Sequence, residues 1–468
     1  MAMYVICSSW GEHGGEDGVS TFAYDEATGA LGGRNVVEYG LTPKAISGSA
    51  HFKDEEKGLV YMVDEIDKAF DDTATGQAAA AKGVGSGLKG GGGGSVVVWR
   101  YGAGGSLEKV QQIDSFGSNP SMVTISPDGS YAVVSHHGQG SCASQTKLGS
   151  DGFEMVPVYS EPNIVLFKRL DDGTIDPTPL DIYRIDAGKS DPYKDSSWRM
   201  SHAHSCVWAP LELGDFFVVC DKGTNHITSM AIEGGRLVVR SDLDMIDLCD
   251  PADPCTQTKP DPWAKPRYVR FHPTKPFLFV NYEAANQVDA FSYDESGQLI
   301  HINSASVVDM DRRCANDNMK GYRFEAQDCK VSADGRYFYD VYRCSSDNFK
   351  GTTRMHTDGG FQGIAVFRVD QESGKLERIQ NAEFPETPME HTAALYAGTP
   401  DEGKESQARG FYWPRGIEIS PDGNFMLTAF LHGDWIASTP IKSDGQLDVD
   451  ATITCEMTTP SGLTFFNA

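Results

Sequence analysis

Residues 265–287 read KPRYVRFHPTKPFLFVNYEAANQ, two apolar stretches around a Pro-Thr-Lys-Pro turn. Runs of Val, Phe, Leu and Tyr without a helical period predict a pair of strands. Arg267 opens the first strand and Glu283 closes the second. Packing alone does not require charges at those two ends.

The turn recurs along the chain. SPDG stands at 126–129, SADG at 332–335 and SPDG at 420–423, with HPTK at 272–275 in the same role. Strand-like runs flank each one: MVTI, CKV and GIEI before, YAVVS, YFYDVY and FMLTAF after. A third run follows each hairpin (VVVWRY, NIVLFKRL, ITSMAI, VDAFSY, GIAVFRV, WIASTPI), then a Gly-rich turn such as DDGTI or IEGGRL and a fourth strand. Repeated units of four antiparallel strands are the signature of propeller blades.

Six such units have hairpins centred near Lys57, Gly129, Gly214, Lys275, Gly335 and Gly423. YVICSSW and VSTFAYDEATGAL near the N-terminus and TPSGLTFFN near the C-terminus supply strands for a seventh. Pairing the two termini in one blade removes the exposed edges of an open sheet. The expected fold is therefore all-β: a seven-bladed propeller over residues 1–468, in place of the several domains that length alone suggests. The Gly/Ala-rich stretch at about 71–95 cannot pack a core and is expected to be a flexible loop of the first blade.

Seven long insertions can be sorted by this topology. Residues 66–94, 142–161 and 345–360 fall between second and third strands, and 184–203, 243–265, 304–325 and 383–413 between a fourth strand and the next first strand. All lie on one face, which predicts a lid over one mouth of the axial channel, with decorative or oligomer-forming loops as the alternative.

In a tight hairpin, residues equally spaced from the turn centre face each other. An offset of eight from each centre selects Arg267 and Glu283, Ser121 and His137, Gln327 and Arg343, Arg415 and Leu431, and Glu65. The longer turn near Gly214 brings His204 to the same level. Arg267, Arg343, Arg415, Glu65, Glu283, His137 and His204 then converge on the loop-rich mouth, as in a small-molecule site. A purely structural Arg267–Glu283 ion pair is the alternative. His202 and His432 fall off the offset and are expected at the surface or behind the site.

The formal charge of −26 argues against nucleic acid or anionic membrane as partners; a small anionic substrate is expected instead from Arg267, Arg343 and Arg415. No basic, apolar leader and no run of about 20 apolar residues is present, so a cytoplasmic protein is expected. Of the ten cysteines, Cys7, Cys206, Cys220 and Cys329 sit in apolar runs as small hydrophobes. Cys249 and Cys255 are the close pair outside such runs, but no second Cys/His pair with zinc-ligand spacing accompanies them.

The stretches PRYVRFHPTKPFLFVNYE, SHAHS, SADGRYFYDVYR and WPRGIEISPDG resemble the repeats of the seven-bladed propeller lactonase family. That family includes propeller-type 6-phosphogluconolactonases and the fungal 3-carboxy-cis,cis-muconate lactonizing enzyme. The resemblance spans nearly the whole chain apart from the insertions and implies functional roles for His204, Arg267, Glu283 and Arg343, with Pro414-Arg415-Gly416 matching a further family motif. This chain departs from the pattern at His136-His137, where relatives often carry Asn-Tyr, and at Phe430-Leu431.

The resemblance implies a lactonase without cofactor or metal. Arg267, Arg343 and Arg415 would bind carboxylate or phosphate and stabilise developing negative charge. His204 or Glu283 would move the proton, with His137 and Glu65 contacting substrate. An arginine beside Glu283 keeps that carboxylate ionised, which favours His204 as the acid. A lactone-forming cycloisomerase of the muconate type, or a non-catalytic binding propeller, are the alternatives. A metal-dependent lactonase is weaker, because the ring offers few carboxylates for Ca²⁺.

Overall fold

A computed structural model of the chain describes residues 2–9, 18–38, 51–64, 94–138, 143–149, 152–158, 163–185, 201–245, 264–283, 285–308, 322–346, 362–384, 413–431 and 433–468. Among them are seven four-stranded antiparallel sheets, the blades of a propeller. The inner strands of blades 1 to 7 are Phe52–Asp54, Pro120–Ile125, Ala203–Trp208, Pro266–Phe271, Tyr322–Val331, Pro414–Ile419 and Pro460–Asn467. Blade 7 closes the ring as expected. Its inner strand comes from the C-terminus and pairs with Met3–Ser9, with Val5 opposite Phe465.

Burial explains which residues form which strand. Second strands such as Leu59–Asp64 and Phe277–Tyr282 are buried along their whole length. Both their faces are covered by neighbouring blades, so they read as continuous apolar runs rather than as alternations. Outer strands such as Arg236–Asp244 mix buried and exposed positions because one face meets water. Phe279 of blade 4 packs 5.3 Å from Phe338 of blade 5, which in turn lies 6.0 Å from Phe367. Burying each such ring stabilises the blade boundary by about 1.5–3 kcal/mol.

The recurrent turn has one mechanism. Ser126, Ser332 and Ser420 each donate to the aspartate two residues on at 2.6 Å and accept the N–H five residues on at 2.9–3.0 Å. Gly129, Gly335 and Gly423 supply the left-handed backbone at φ 74°, 72° and 75° that L-residues resist. In HPTK the ring of His272 substitutes for serine, its Nδ1 accepting the N–H groups of Thr274 and Lys275.

Within the expected insertion at 142–161, Ala143–Gly149 and Gly152–Val158 form a separate two-stranded hairpin. Most of the other insertions, including nearly all of 71–95 and with them the expected lid, lie outside the described residues, as do Glu65, Cys249, Cys255 and His432. Cys7, Cys206, Cys220 and Cys329 are free and buried. Among the described residues no helix is long and apolar enough to cross a membrane.

Candidate active site

Two tiers of side chains are set by backbone features that repeat from blade to blade. Asn119, Lys265 and Trp413 adopt φ values of 48°, 60° and 55°, each just before a proline that opens an inner strand. Their carbonyls accept the N–H of His137 (2.8 Å), Glu283 (2.8 Å) and Leu431 (2.9 Å), and in blade 3 the His202 carbonyl accepts that of Lys222 (3.2 Å). His137, Lys222, Glu283 and Leu431 therefore occupy one position in successive blades, and Arg343 holds it in blade 5. Lys222 was missed by the sequence reading, although it stands eight residues after Gly214.

The second tier is made by bulges. The inner strands of blades 2 to 6 shift register between Pro120 and Met122, Ala203 and Ser205, Pro266 and Val269, Ala326 and Cys329, and Pro414 and Ile417. Ser121, His204, Arg267, Gln327 and Arg415 sit in those shifts, all buried. A bulge re-aims a side chain that a regular ladder would fix. It also corrects the mirror offset: Pro266 opposes Tyr282, so Arg267 is not opposite Glu283, and Arg343 opposes Glu325 instead of Gln327. Gly416 follows Arg415 because the inner strands of blades 6 and 7 nearly touch. A Cβ there would lie 2.1 Å from the Ser461 carbonyl oxygen.

Glu283 is the electrostatic centre. Lys222 Nζ lies 3.1 and 3.0 Å from its two carboxylate oxygens, and Arg267 Nη1 lies 3.0 Å from Oε2. Burial by itself would raise this carboxyl, but Lys222 and Arg267, with Lys265 and Arg343 further off, hold it well below the usual carboxylate range. Burial brings the Lys222 ammonium down to about 8 against the pull of Glu283, with Arg267 pushing the same way as burial. Asp221 anchors the segment: it accepts the N–H groups of His202 (2.7 Å), Gly223 (2.9 Å) and Thr224 (3.1 Å) and the Ser201 hydroxyl. Arg267 Nη1 also donates to the Ala326 carbonyl at 2.8 Å, tying blade 4 to blade 5.

Three histidines cluster beside this centre. The His137 ring lies 4.5 Å from that of His202 and 5.7 Å from that of His204, which meets Tyr268 edge-on at 4.9 Å. His202 is buried, not at the surface, and its Nδ1–H donates to the His137 carbonyl at 2.5 Å. Burial drives His204 well below its ordinary range, and the cations Arg267 and Lys222 push it further. His137 is lowered for the same reasons, burial first and then Lys222 and His202. Both rings are therefore neutral at physiological pH. A neutral His204 ring has an acceptor nitrogen and no acidic proton near neutrality, whereas Glu283 being ionised suggested His204 as the acid.

Arg343 completes the wall between blades 5 and 6. Its Nε and Nη2 reach Glu325 Oε2 at 2.8 and 2.7 Å, and its guanidinium lies 3.8 Å from the Trp413 ring centroid. Among the described residues, Lys222, Lys265, Arg267, Arg343 and Arg415 stand against Asp221, Glu283 and Glu325, five positive and three negative groups. That surplus stands out in a chain of net charge −26 and suits an anion. Among the described residues no group of three or more His, Cys, Asp or Glu is arranged to hold a metal ion.

A cavity of about 980 Å³ lies at the other end of the axis, lined by tight-turn residues such as Lys57, Asp128 and Pro210. None of the predicted site residues line it. Of the cations that line it, Arg169, Arg270 and Lys330 are each paired with a carboxylate, Asp54, Asp328 and Glu418.

A seven-bladed propeller closed by its own termini, with a buried cluster of cations, carboxylates and histidines at one mouth, is the class that the fold defines. Residues 12–389 match the family described as "Lactonase, 7-bladed beta-propeller", and the chain belongs to that family. It is 30% identical to the 6-phosphogluconolactonase of Bacillus subtilis (strain 168) over 120 residues, 25% of this chain and 28% of that protein's length. Among solved structures it is similar to the periplasmic gluconolactonase PpgL of Pseudomonas aeruginosa, at 19% identity and a TM-score of 0.66, covering 100% of this chain and 99% of that one. A protein from Lactobacillus plantarum is similar at 16% identity and a TM-score of 0.63, covering 100% of both chains. At those identities the structural likeness is one of fold.

Proposed function

We propose that the chain is a cofactor-independent lactone hydrolase that opens a lactone of an anionic sugar acid or carboxylic acid at the two-tiered mouth. The carrying observation is Glu283, held ionised between Lys222 and Arg267 and flanked by histidines held neutral. Membership of the lactonase family supports the same reading. Arg267, Arg343 and Arg415 would hold the substrate's negative group and stabilise the oxyanion formed when water adds to the lactone carbonyl. A neutral His204 would take the proton from that water, with His137 contacting the substrate. The working compartment is proposed to be the cytoplasm, with no nucleic-acid or membrane partner.

Proton release measured with glucono-δ-lactone, 6-phosphoglucono-δ-lactone and uncharged δ-lactones tests the reading. Turnover should favour the anionic lactones and fall at least about 100-fold in Glu283→Gln and His204→Ala. Parent-like rates in both variants, or no turnover of any lactone, would remove it.

A further inference from the structure

Opening a lactone leaves an alkoxide, and something must protonate it. Arginines do not release protons near neutrality, Glu283 is ionised, and His137 and His204 are held neutral. The His202 proton on Nδ1 is committed to the His137 carbonyl. Lys222 is different. Its backbone N–H is fixed by the His202 carbonyl and its Nζ is fixed by both oxygens of Glu283, on the side that also holds Arg267 and the His137 and His204 rings.

Resting on the lactone reading, we propose that Lys222 is the general acid of the reaction, with Glu283 as the carboxylate that positions its ammonium. Water adds to the carbonyl carbon and gives its proton to a histidine, while the carbonyl π pair moves to oxygen. The tetrahedral intermediate then collapses: the C=O bond re-forms, the bond to the ring oxygen breaks, and that oxygen takes the electron pair together with a proton from Lys222 Nζ. The products are a hydroxyl and a carboxylic acid, which releases its proton to solvent to become the carboxylate, and the histidine proton returns to Lys222, restoring both groups. The charged and titratable groups facing Nζ are Glu283, Arg267 and Lys265 of blade 4, His137 of blade 2 and His204 of blade 3.

Leaving-group chemistry separates an acid from a structural cation. An aliphatic δ-lactone expels a strongly basic alkoxide, whereas dihydrocoumarin expels a phenolate that hardly needs a proton. Lys222→Met should lose about 100-fold or more on the aliphatic lactone and only a few-fold on dihydrocoumarin. Lys222→Arg keeps the charge and the ion pair but cannot give up a proton, so it should show the same split while melting close to the parent. The parent rate on the aliphatic lactone should fall above a pH near 8, the rate on dihydrocoumarin should not, and Lys222→Arg should lack that alkaline limb. The parent profile reads the proposal even where a variant folds poorly. Equal losses on both substrates, or an arginine variant with parent rate and alkaline limb, would overturn the role of Lys222 and leave the lactonase reading standing. A parent enzyme that opens neither lactone overturns both.

Discussion

Lys222 of blade 3 and Glu283 of blade 4 hold equivalent positions in adjacent blades, and the lysine spans the boundary to bind both oxygens of the glutamate at 3.1 and 3.0 Å. The side chains are nearly dry, 7% and 12% exposed. Removing Glu283 leaves the buried Lys222 ammonium without this counter-ion, which typically costs about 3–5 kcal/mol. Glu283→Gln should lower the urea midpoint by a corresponding amount, and Lys222→Met/Glu283→Gln should recover part of the loss. Additive losses in this double-mutant cycle would show that the pair is not coupled.

Acid should destabilise the propeller through its histidines. His136 is fully buried and held down to about 4 by burial, and its Nε2 has no hydrogen-bond partner among the described residues. Between its ordinary value near 6.5 and that lowered value the unfolded chain binds the proton and the folded chain does not. Stability therefore falls as pH drops from about 6.5 to about 4, by up to about 3 kcal/mol for His136. His137 and His204, lowered likewise, add in the same direction. Urea titrations at stepped pH should show this slope, reduced in His136→Asn. A flat profile would mean that the buried rings titrate normally.

Arg343 combines a two-point contact with Glu325 and a stack on Trp413. Lysine reproduces the charge but neither the fork nor the stacked plane. Arg343→Lys should therefore raise KM for an anionic lactone about tenfold or more, with a smaller change for an uncharged one. Equal changes for the two substrates would argue that Arg343 does not meet the anionic group.

Asn281 holds two bulges at once. It is fully buried, its Oδ1 accepts the Tyr268 N–H at 2.9 Å, and its Nδ2 donates to the Gln327 carbonyl at 2.8 Å and to Asp340 at 2.7 Å. Asn281→Ala leaves these groups unsatisfied and should cost about 2–4 kcal/mol by urea unfolding. Because Arg267 lies in the blade 4 bulge and Gln327 in that of blade 5, kcat/KM should fall about tenfold as well. Lost stability with unchanged kinetics would show that the bulges keep their shape without it.

The sequence by itself determined the blade count, the closure by the two termini and the shared position of His137, Glu283 and Leu431 in successive blades. Those features have a local cause: Ser-Pro-Asp-Gly turns, strands of characteristic length and a fixed spacing from each turn centre. Applied to Gly214 as well, the same spacing would have found Lys222. What spacing could not supply was the pairing. Lys222 meets Glu283 because two blades pack side by side, and Arg343 meets Glu325 because a bulge in the inner strand moves the register. His202 joins the cluster although it is off the offset, since the His137 carbonyl captures its ring. The protonation states follow from burial among neighbouring cations, so only the tertiary structure lowers His204 and Lys222 from their ordinary values. Period and turn chemistry are written in neighbouring residues, whereas partners and charge states depend on what the closed ring brings together and shields from water.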